Sequence, residues 1–160
     1  DLNRLSACPF GITTVQTLRP VAETLVVEIG GEPIWVPEEN RGLYHAALTF
    51  GANNLMTLVT QTTELLEAAG ITNPENLVAP LLGASLDNAL RNGDAAITGP
   101  VARGDASTVR EHLRVLANFD PAVTQAYRAM ARLTAIRALS SGTLQPQLAE
   151  ELLTVLADES

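Results

Sequence analysis

One stretch of the chain, residues 37–70, constrains the fold more than any other. It reads PEENRGLYHAALTFGANNLMTLVTQTTELLEAAG and has helical periodicity with no proline after its first residue. A helix of this length spans about 48 Å, more than the diameter of a small domain, so other helices must pack along it. The pattern therefore predicts a mainly α fold, a helical bundle built around one long helix.

The long helix is expected to be covered on both sides, because its apolar residues form two seams at helical spacing. These are Leu48, Ala52, Leu55, Val59, Leu66 and Ala69 on one side, and Ala47, Phe50, Leu58 and Leu65 on the other. Between the seams runs a polar stripe at four-residue spacing, His45, Thr49, Asn53 and Thr57. Polar residues where a bundle would favour leucine mark this stripe as the first candidate site.

Composition narrows the classes of function. With 160 residues and 46% hydrophobic residues the chain is able to bury a core, and its net charge of −8 argues against nucleic acid or an anionic membrane surface as a partner. No run of eighteen apolar residues and no signal-peptide pattern occur, so a soluble cytoplasmic protein is expected. All ten basic residues are arginine, which excludes lysine chemistry, and with two histidines and one cysteine no metal site is expected.

The N-terminal part has the pattern of a βαβ unit. Residues 7–13 and 33–36 read as short strands, and the helix between them is expected to be capped by Thr17 and to end at Gly30-Gly31. This order implies parallel pairing. Two parallel strands rarely stand alone, so either another chain or, as we favour, sequence preceding Asp1 supplies the rest of the sheet.

After residue 37 the pattern is helical throughout. A cap residue followed by proline predicts a helix start at each of three places, Asn73-Pro74, Asp120-Pro121 and Gln145-Pro146. Asp105 is expected to cap a further helix. The change of period places the expected domain boundary between Pro37 and Glu38.

The segments YHAALTFGANN (residues 44–54) and ALRNGDAAITGPVARGD (residues 89–105), with FGIT and GGEPIWVPEE before them, resemble a known family. It is a bacterial family of Rossmann-like proteins with a C-terminal domain of unknown function, distantly related to pyrroline-5-carboxylate reductase, ketopantoate reductase and 6-phosphogluconate dehydrogenase. The resemblance implies a helical domain like the C-terminal domain of 6-phosphogluconate dehydrogenase, dimeric through its helices.

The resemblance also implies two domains with different functions. Residues 1–37 would be the C-terminal remnant of a nucleotide-binding α/β domain, and residues 38–160 a helical domain for dimerisation and substrate binding. A G-x-G-x-x-G loop following a strand is not found, so NADP or NAD is expected for the full-length protein and no cofactor for this fragment, which should be inactive alone. The implied reaction is hydride transfer with a small C=O or C=N substrate. The alternative is a non-catalytic dimerisation or interaction module.

His45 and Asn53 are the candidate catalytic residues. In several relatives a lysine and an asparagine one helical turn apart polarise the substrate oxygen, and placing Asn53 on that asparagine puts Thr49 where the lysine would be. Threonine cannot act as that acid. His45, one turn earlier on the same face, is able to supply the proton instead. The alternatives are a structural histidine at a domain junction and, for Asn53, a buried amide that fixes helix register. The other histidine, His112, is expected to be structural.

A second candidate site lies in the loop TGPVARGD. Its residues Thr98, Gly99, Arg103 and Gly104 precede a helix N-terminus, where backbone N–H groups favour an anion, and the Arg103 guanidinium suits a carboxylate or phosphate. The functional interpretation is a clamp for a substrate or cofactor anion. The alternative is a tight connection between helices, with Asp105 as a cap and Arg103 paired with an acidic neighbour.

Overall fold

The computed structural model describes residues 7–157. The chain is mainly helical with a short two-stranded parallel sheet near its N-terminus, which confirms the expected fold class. It divides into two compact units, Asp1–Thr60 and Gln61–Ser160. The expected domains, 1–37 and 38–160, stay a prediction, and their outermost parts, residues 1–6 and 158–160, lie outside the described residues.

The first unit begins with the expected βαβ arrangement. Strands β1 (Pro9–Ile12) and β2 (Glu32–Trp35) pair in parallel, with Gly11 opposite Ile34, and helix α1 (Arg19–Glu28) connects them. The Val36 N–H donates to the Ile12 carbonyl at 2.8 Å and extends the pairing by one residue. Both strands therefore end at the same edge of the sheet.

Helix α1 is fixed against β2 through Trp35. The indole Nε1–H of Trp35 donates to the Glu23 carboxylate at 3.0 Å, and the Arg19 guanidinium lies 4.6 Å from the ring centroid in a cation–π contact. The prediction that Thr17 caps this helix is wrong. Instead, Gln16–Leu18 form a 3₁₀ turn and the helix follows with Pro20 in its first turn.

The long stretch folds as a 3₁₀ turn, Glu38–Asn40, followed by helix α2 (Arg41–Ala68). At 28 residues, α2 is about 42 Å long. The prediction that both seams are covered is wrong for the single chain, because no residue of α2 is buried within the described structure. Leu48 is 56% exposed and Phe50 63% exposed, one from each seam.

The second unit packs its helices around one core. The helices are α3 (Glu75–Asn92), α4 (Pro100–Arg103), α5 (Ala106–Ala117), α6 (Pro121–Ser140) and α7 (Pro146–Val155), with a 3₁₀ turn at Gly93–Ala96. The core lies between α4, α5, α6 and α7 and includes the fully buried Val109, Leu152 and Leu156. Where α5 and α6 meet, His112 Nδ1 lies 2.8 Å from the Tyr127 hydroxyl, which gives His112 the structural role expected of it.

Two of the predicted caps are confirmed. The Asp105 carboxylate accepts the Thr108 N–H at 3.0 Å, and that of Asp120 accepts the Ala122 N–H at 2.7 Å. The prediction that Asn73 caps α3 is wrong, because Asn73 has a φ of +54° and Pro74 is the residue that precedes the helix. Gln145 precedes α7 as expected but makes no side-chain capping bond within the described chain. Aspartate supplies such a bond by local chemistry alone, which explains why these two predictions hold.

Gly104, between α4 and α5, has to be glycine for two reasons. Its φ of +70° is in the left-handed region, and a Cβ there would lie 2.5 Å from Cβ of Leu148 in α7. Gly142 has a similar φ, +79°, but a Cβ at that position would meet open space within the described structure. Substitutions at Gly104 and Gly142 therefore distinguish the effect of backbone strain, which both share, from the effect of packing, which only Gly104 has.

We expect Gly104→Ala to lower the free energy of unfolding by about 2–4 kcal/mol, since overpacking adds to the strain of a positive φ. Gly142→Ala, the matched control, should cost about 1 kcal/mol, the strain alone. Urea unfolding followed by circular dichroism measures both. Equal losses in the two variants would contradict the close packing of α7 on Gly104.

Candidate functional site

A pocket of about 580 Å³ lies in the first unit where both parallel strands end. Its lining residues come from the end of β1, the residue after β2 and the first turn of α2: Gly11, Thr13, Val36, Arg41, Gly42, Tyr44 and His45. The volume is in the range of small-molecule sites. In α/β sheets, ligands bind in the crevice outside the carboxyl ends of the strands, so the location is one that favours a ligand.

His45 lines this pocket. It is the first residue of the polar stripe that the sequence marked as a candidate site. Its side chain is exposed on the first turns of α2. Imidazole donates and accepts protons near neutral pH, and its position in the wall of the pocket is compatible with proton transfer to a bound ligand. The catalytic role itself stays a prediction.

Asn53 lies outside the pocket. It follows His45 by two turns of α2, which is about 12 Å along the helix axis. Its side chain is exposed, and its backbone carbonyl accepts a hydrogen bond from Thr57 Oγ1 at 3.1 Å. Within the single chain Asn53 is therefore not the buried amide of the alternative interpretation, and its catalytic role stays a prediction.

The predicted anion-binding residues Thr98, Gly99, Arg103 and Gly104 all belong to the second unit. The Asp105 carboxylate occupies the N-terminus of α5, where it accepts the Thr108 N–H, and an anion there would meet its negative charge. Gly104 is explained by its contact with α7. These contacts favour a tight connection between helices, and the anion clamp stays a prediction.

The electrostatics of that connection centre on Asp105. Its carboxylate accepts the N–H of Thr108, the hydroxyl of Thr108 at 2.7 Å and the hydroxyl of Ser107 at 2.8 Å. These bonds, followed by the charge of Arg103, lower the pKa of Asp105 from its ordinary value of 3.8 to about 2. Arg103 is near enough for its charge to act on Asp105, and its pairing with an acidic neighbour stays a prediction.

Of the seven lining residues, only His45 was among the candidates from the sequence. The other six are Gly11, Thr13, Val36, Arg41, Gly42 and Tyr44. Arg41 is the first residue of α2, and its guanidinium Nη1 donates to Glu38 at 3.2 Å. Tyr44 lies one residue before His45, and no motif in the linear sequence indicates that β1 lies opposite it. A glycine inside a predicted strand was the one available signal, since such a glycine marks a close approach of another group.

The described residues contain neither a glycine-rich loop directly after a strand nor a cluster of side chains suited to a metal ion. The loop that follows β1, residues 13–15, contains no glycine, while Gly30 and Gly31 follow α1 and the ring of Phe10 occupies the space beside Gly31. Across residues 7–157, no group of three His, Cys, Asp or Glu side chains is placed to hold a metal ion. The same residues contain no helix of sufficient length and hydropathy to cross a bilayer.

Comparison with known proteins assigns the family. The model of a domain of unknown function, DUF2520, matches residues 8–134, so the chain belongs to the DUF2520 family. Among solved structures, protein TM1727 from Thermotoga maritima is similar, with a TM-score of 0.76 and 25% identity over 88% of this chain. The chain spans 57% of the length of TM1727. No curated protein matches the sequence.

Because the pKa of Asp105 is low, we expect the stability of the folded protein to vary with pH in the acid range. Because folding favours the ionised carboxylate, its contribution is fully present above the ordinary pKa of 3.8 and is lost as the pH falls through about 2. Asp105→Asn keeps a capping oxygen that does not titrate. We expect the wild-type protein to melt at a higher temperature than Asp105→Asn near neutral pH, with the difference shrinking below about pH 4. A difference that does not change with pH would contradict the ionised cap.

Proposed function

We propose that this chain is the C-terminal helical portion of an NAD(P)-dependent oxidoreductase that acts on a small C=O or C=N substrate in the cytoplasm. The observation that carries the proposal is the pocket at the carboxyl ends of β1 and β2, with His45 in its wall. The resemblance to Rossmann-like reductases supplies the reaction class. The chain alone is expected to be inactive.

The residues of this chain would bind the substrate and supply a proton. When the carbon of a C=O or C=N group gains a hydride, the oxygen or nitrogen gains a proton, and His45 is the lining residue that is able to donate it. The cofactor would supply the hydride, and the described residues contain no glycine-rich loop after a strand to hold its phosphate groups. NADP or NAD is therefore proposed to bind mainly to a nucleotide domain outside this chain.

His45→Asn in the complete protein tests the proposal. We expect it to lower kcat for NADPH oxidation at least about 100-fold and to change the pH profile of kcat, because general acid catalysis is lost. The assay follows NADPH absorbance with a panel of small keto acids, ketones and imines. The control is His112→Gln, which changes the other histidine and should retain the wild-type rate.

An unchanged rate and pH profile in His45→Asn would exclude the proton-donor role. Failure of the complete protein to bind NADPH or NADH would overturn the oxidoreductase proposal as a whole. That result would leave the second candidate function, a non-catalytic dimerisation module.

One observation supports dimerisation, which both candidate functions include. Helix α2 has many exposed apolar side chains, and residues 42–63 contain no Asp, Glu, Lys or Arg, although the chain carries a net charge of −8. Two copies of such a helix meet without like-charge repulsion. We propose that α2 packs against its counterpart in a homodimer, which is compatible with either function.

Phe50→Glu tests the homodimer. Burying a carboxylate in an apolar interface is unfavourable, so we expect the dimer dissociation constant to rise by at least about tenfold. Sedimentation velocity over a concentration series of the complete protein measures it. Val115→Glu in α5 is the control, because Val115 is similarly exposed, at 51%, on a different helix. A monomeric wild-type protein, or equal weakening by both variants, would contradict the proposal.

A further inference from the structure

The side chain of Tyr44 covers β1 at Gly11. A Cβ on Gly11 would lie 2.5 Å from the Tyr44 hydroxyl oxygen and 2.7 Å from Cζ, both far inside van der Waals contact. The tyrosine ring therefore occupies the space that a side chain at position 11 would take. Residues that are 33 positions apart in the sequence together set the shape of this wall of the pocket.

The polar side chains that line the pocket differ in the hydrogen bonds they make within the protein. The Thr13 hydroxyl donates to the Val36 carbonyl at 2.7 Å, and Arg41 donates to Glu38. For the Tyr44 hydroxyl, by contrast, residues 7–157 supply no hydrogen-bond partner. Tyr44 lines the pocket and is 39% exposed, so its unpartnered hydroxyl, which lies beside Gly11, is accessible to a ligand.

We propose that Tyr44 is a substrate-binding residue, whose hydroxyl donates a hydrogen bond to the carbonyl oxygen or imine nitrogen of the ligand. This inference rests on the proposed function, which defines that ligand as a small carbonyl or imine compound. Tyr44 and His45 are consecutive in α2 and project about 100° apart around the helix axis. They thus approach a ligand from two directions, with Tyr44 orienting it and His45 supplying the proton.

Gly11 determines this arrangement. Any larger residue displaces the ring of Tyr44, since the nearest atoms are those of the phenol itself. The position of the hydroxyl in the pocket depends on the absence of a side chain on the strand. Gly11 is accordingly a positioning residue, and the effect of changing it should disappear when the ring at position 44 is removed.

The test is made in the complete protein. It compares the single variants Tyr44→Phe, Gly11→Ala and Tyr44→Ala with the double variant that combines Gly11→Ala and Tyr44→Ala. The probes are pyruvate, 2-oxobutyrate, acetone, cyclohexanone and 1-pyrroline, with binding measured by calorimetry and stability by thermal unfolding. We expect Tyr44→Phe to raise the dissociation constant of any bound probe about tenfold with an unchanged melting temperature, since a hydrogen bond is lost and the ring remains. Tyr127→Phe changes the other tyrosine and should bind as the wild type does.

Gly11→Ala should weaken binding as much as Tyr44→Phe and also lower the melting temperature. In the Tyr44→Ala background, Gly11→Ala should have little further effect on stability, because the clash is gone. Unchanged binding in Tyr44→Phe would overturn the inference and leave the proposed function standing. If the wild-type protein binds no probe, the inference fails as well, and NADPH binding by the same sample then decides whether the cofactor part of the proposed function survives.

Discussion

Helix α6 presents alanine to the interior of the second unit, and the packing of that unit depends on it. Ala131, Ala135 and Ala138 are 5%, 1% and 0% exposed, and their spacing of four and three residues places them on one face. Side chains this small allow α4, α5 and α7 to approach α6 closely. A larger residue on this face would separate the helices and open space around Leu152 and Leu156.

Much of the fold could be predicted from the sequence because its signals are local. The caps at Asp105 and Asp120 depend on an oxygen and a nearby N–H, and the periods of two and 3.6 are sufficient to place the strands and the long helix. The prediction that Thr17 caps α1 was wrong because Thr17 lies within a 3₁₀ turn that precedes the helix. The coverage of α2 could not be predicted, since periodicity identifies the apolar residues of a helix and not the surfaces that pack on them.

The candidate site was only partly accessible to the same reasoning. A polar stripe on an apolar helix was enough to find His45, but the identical argument selected Asn53, which lies outside the pocket. Whether a polar residue lines a cavity depends on which strand ends beside it. That is determined by the tertiary structure and not by the local sequence. The pairing of Gly11 with Tyr44 is of this kind, because a glycine in a strand shows that something comes close without showing what.

The absence of ionic side chains along residues 42–63 has a consequence for assembly through α2. Contacts made by this helix would rest on apolar surface and neutral polar groups, so dissolved salt would have few charges to screen. The driving force for burying apolar surface weakens on cooling. Association through α2 would therefore be nearly indifferent to ionic strength and looser in the cold, the opposite of an interface held by ion pairs.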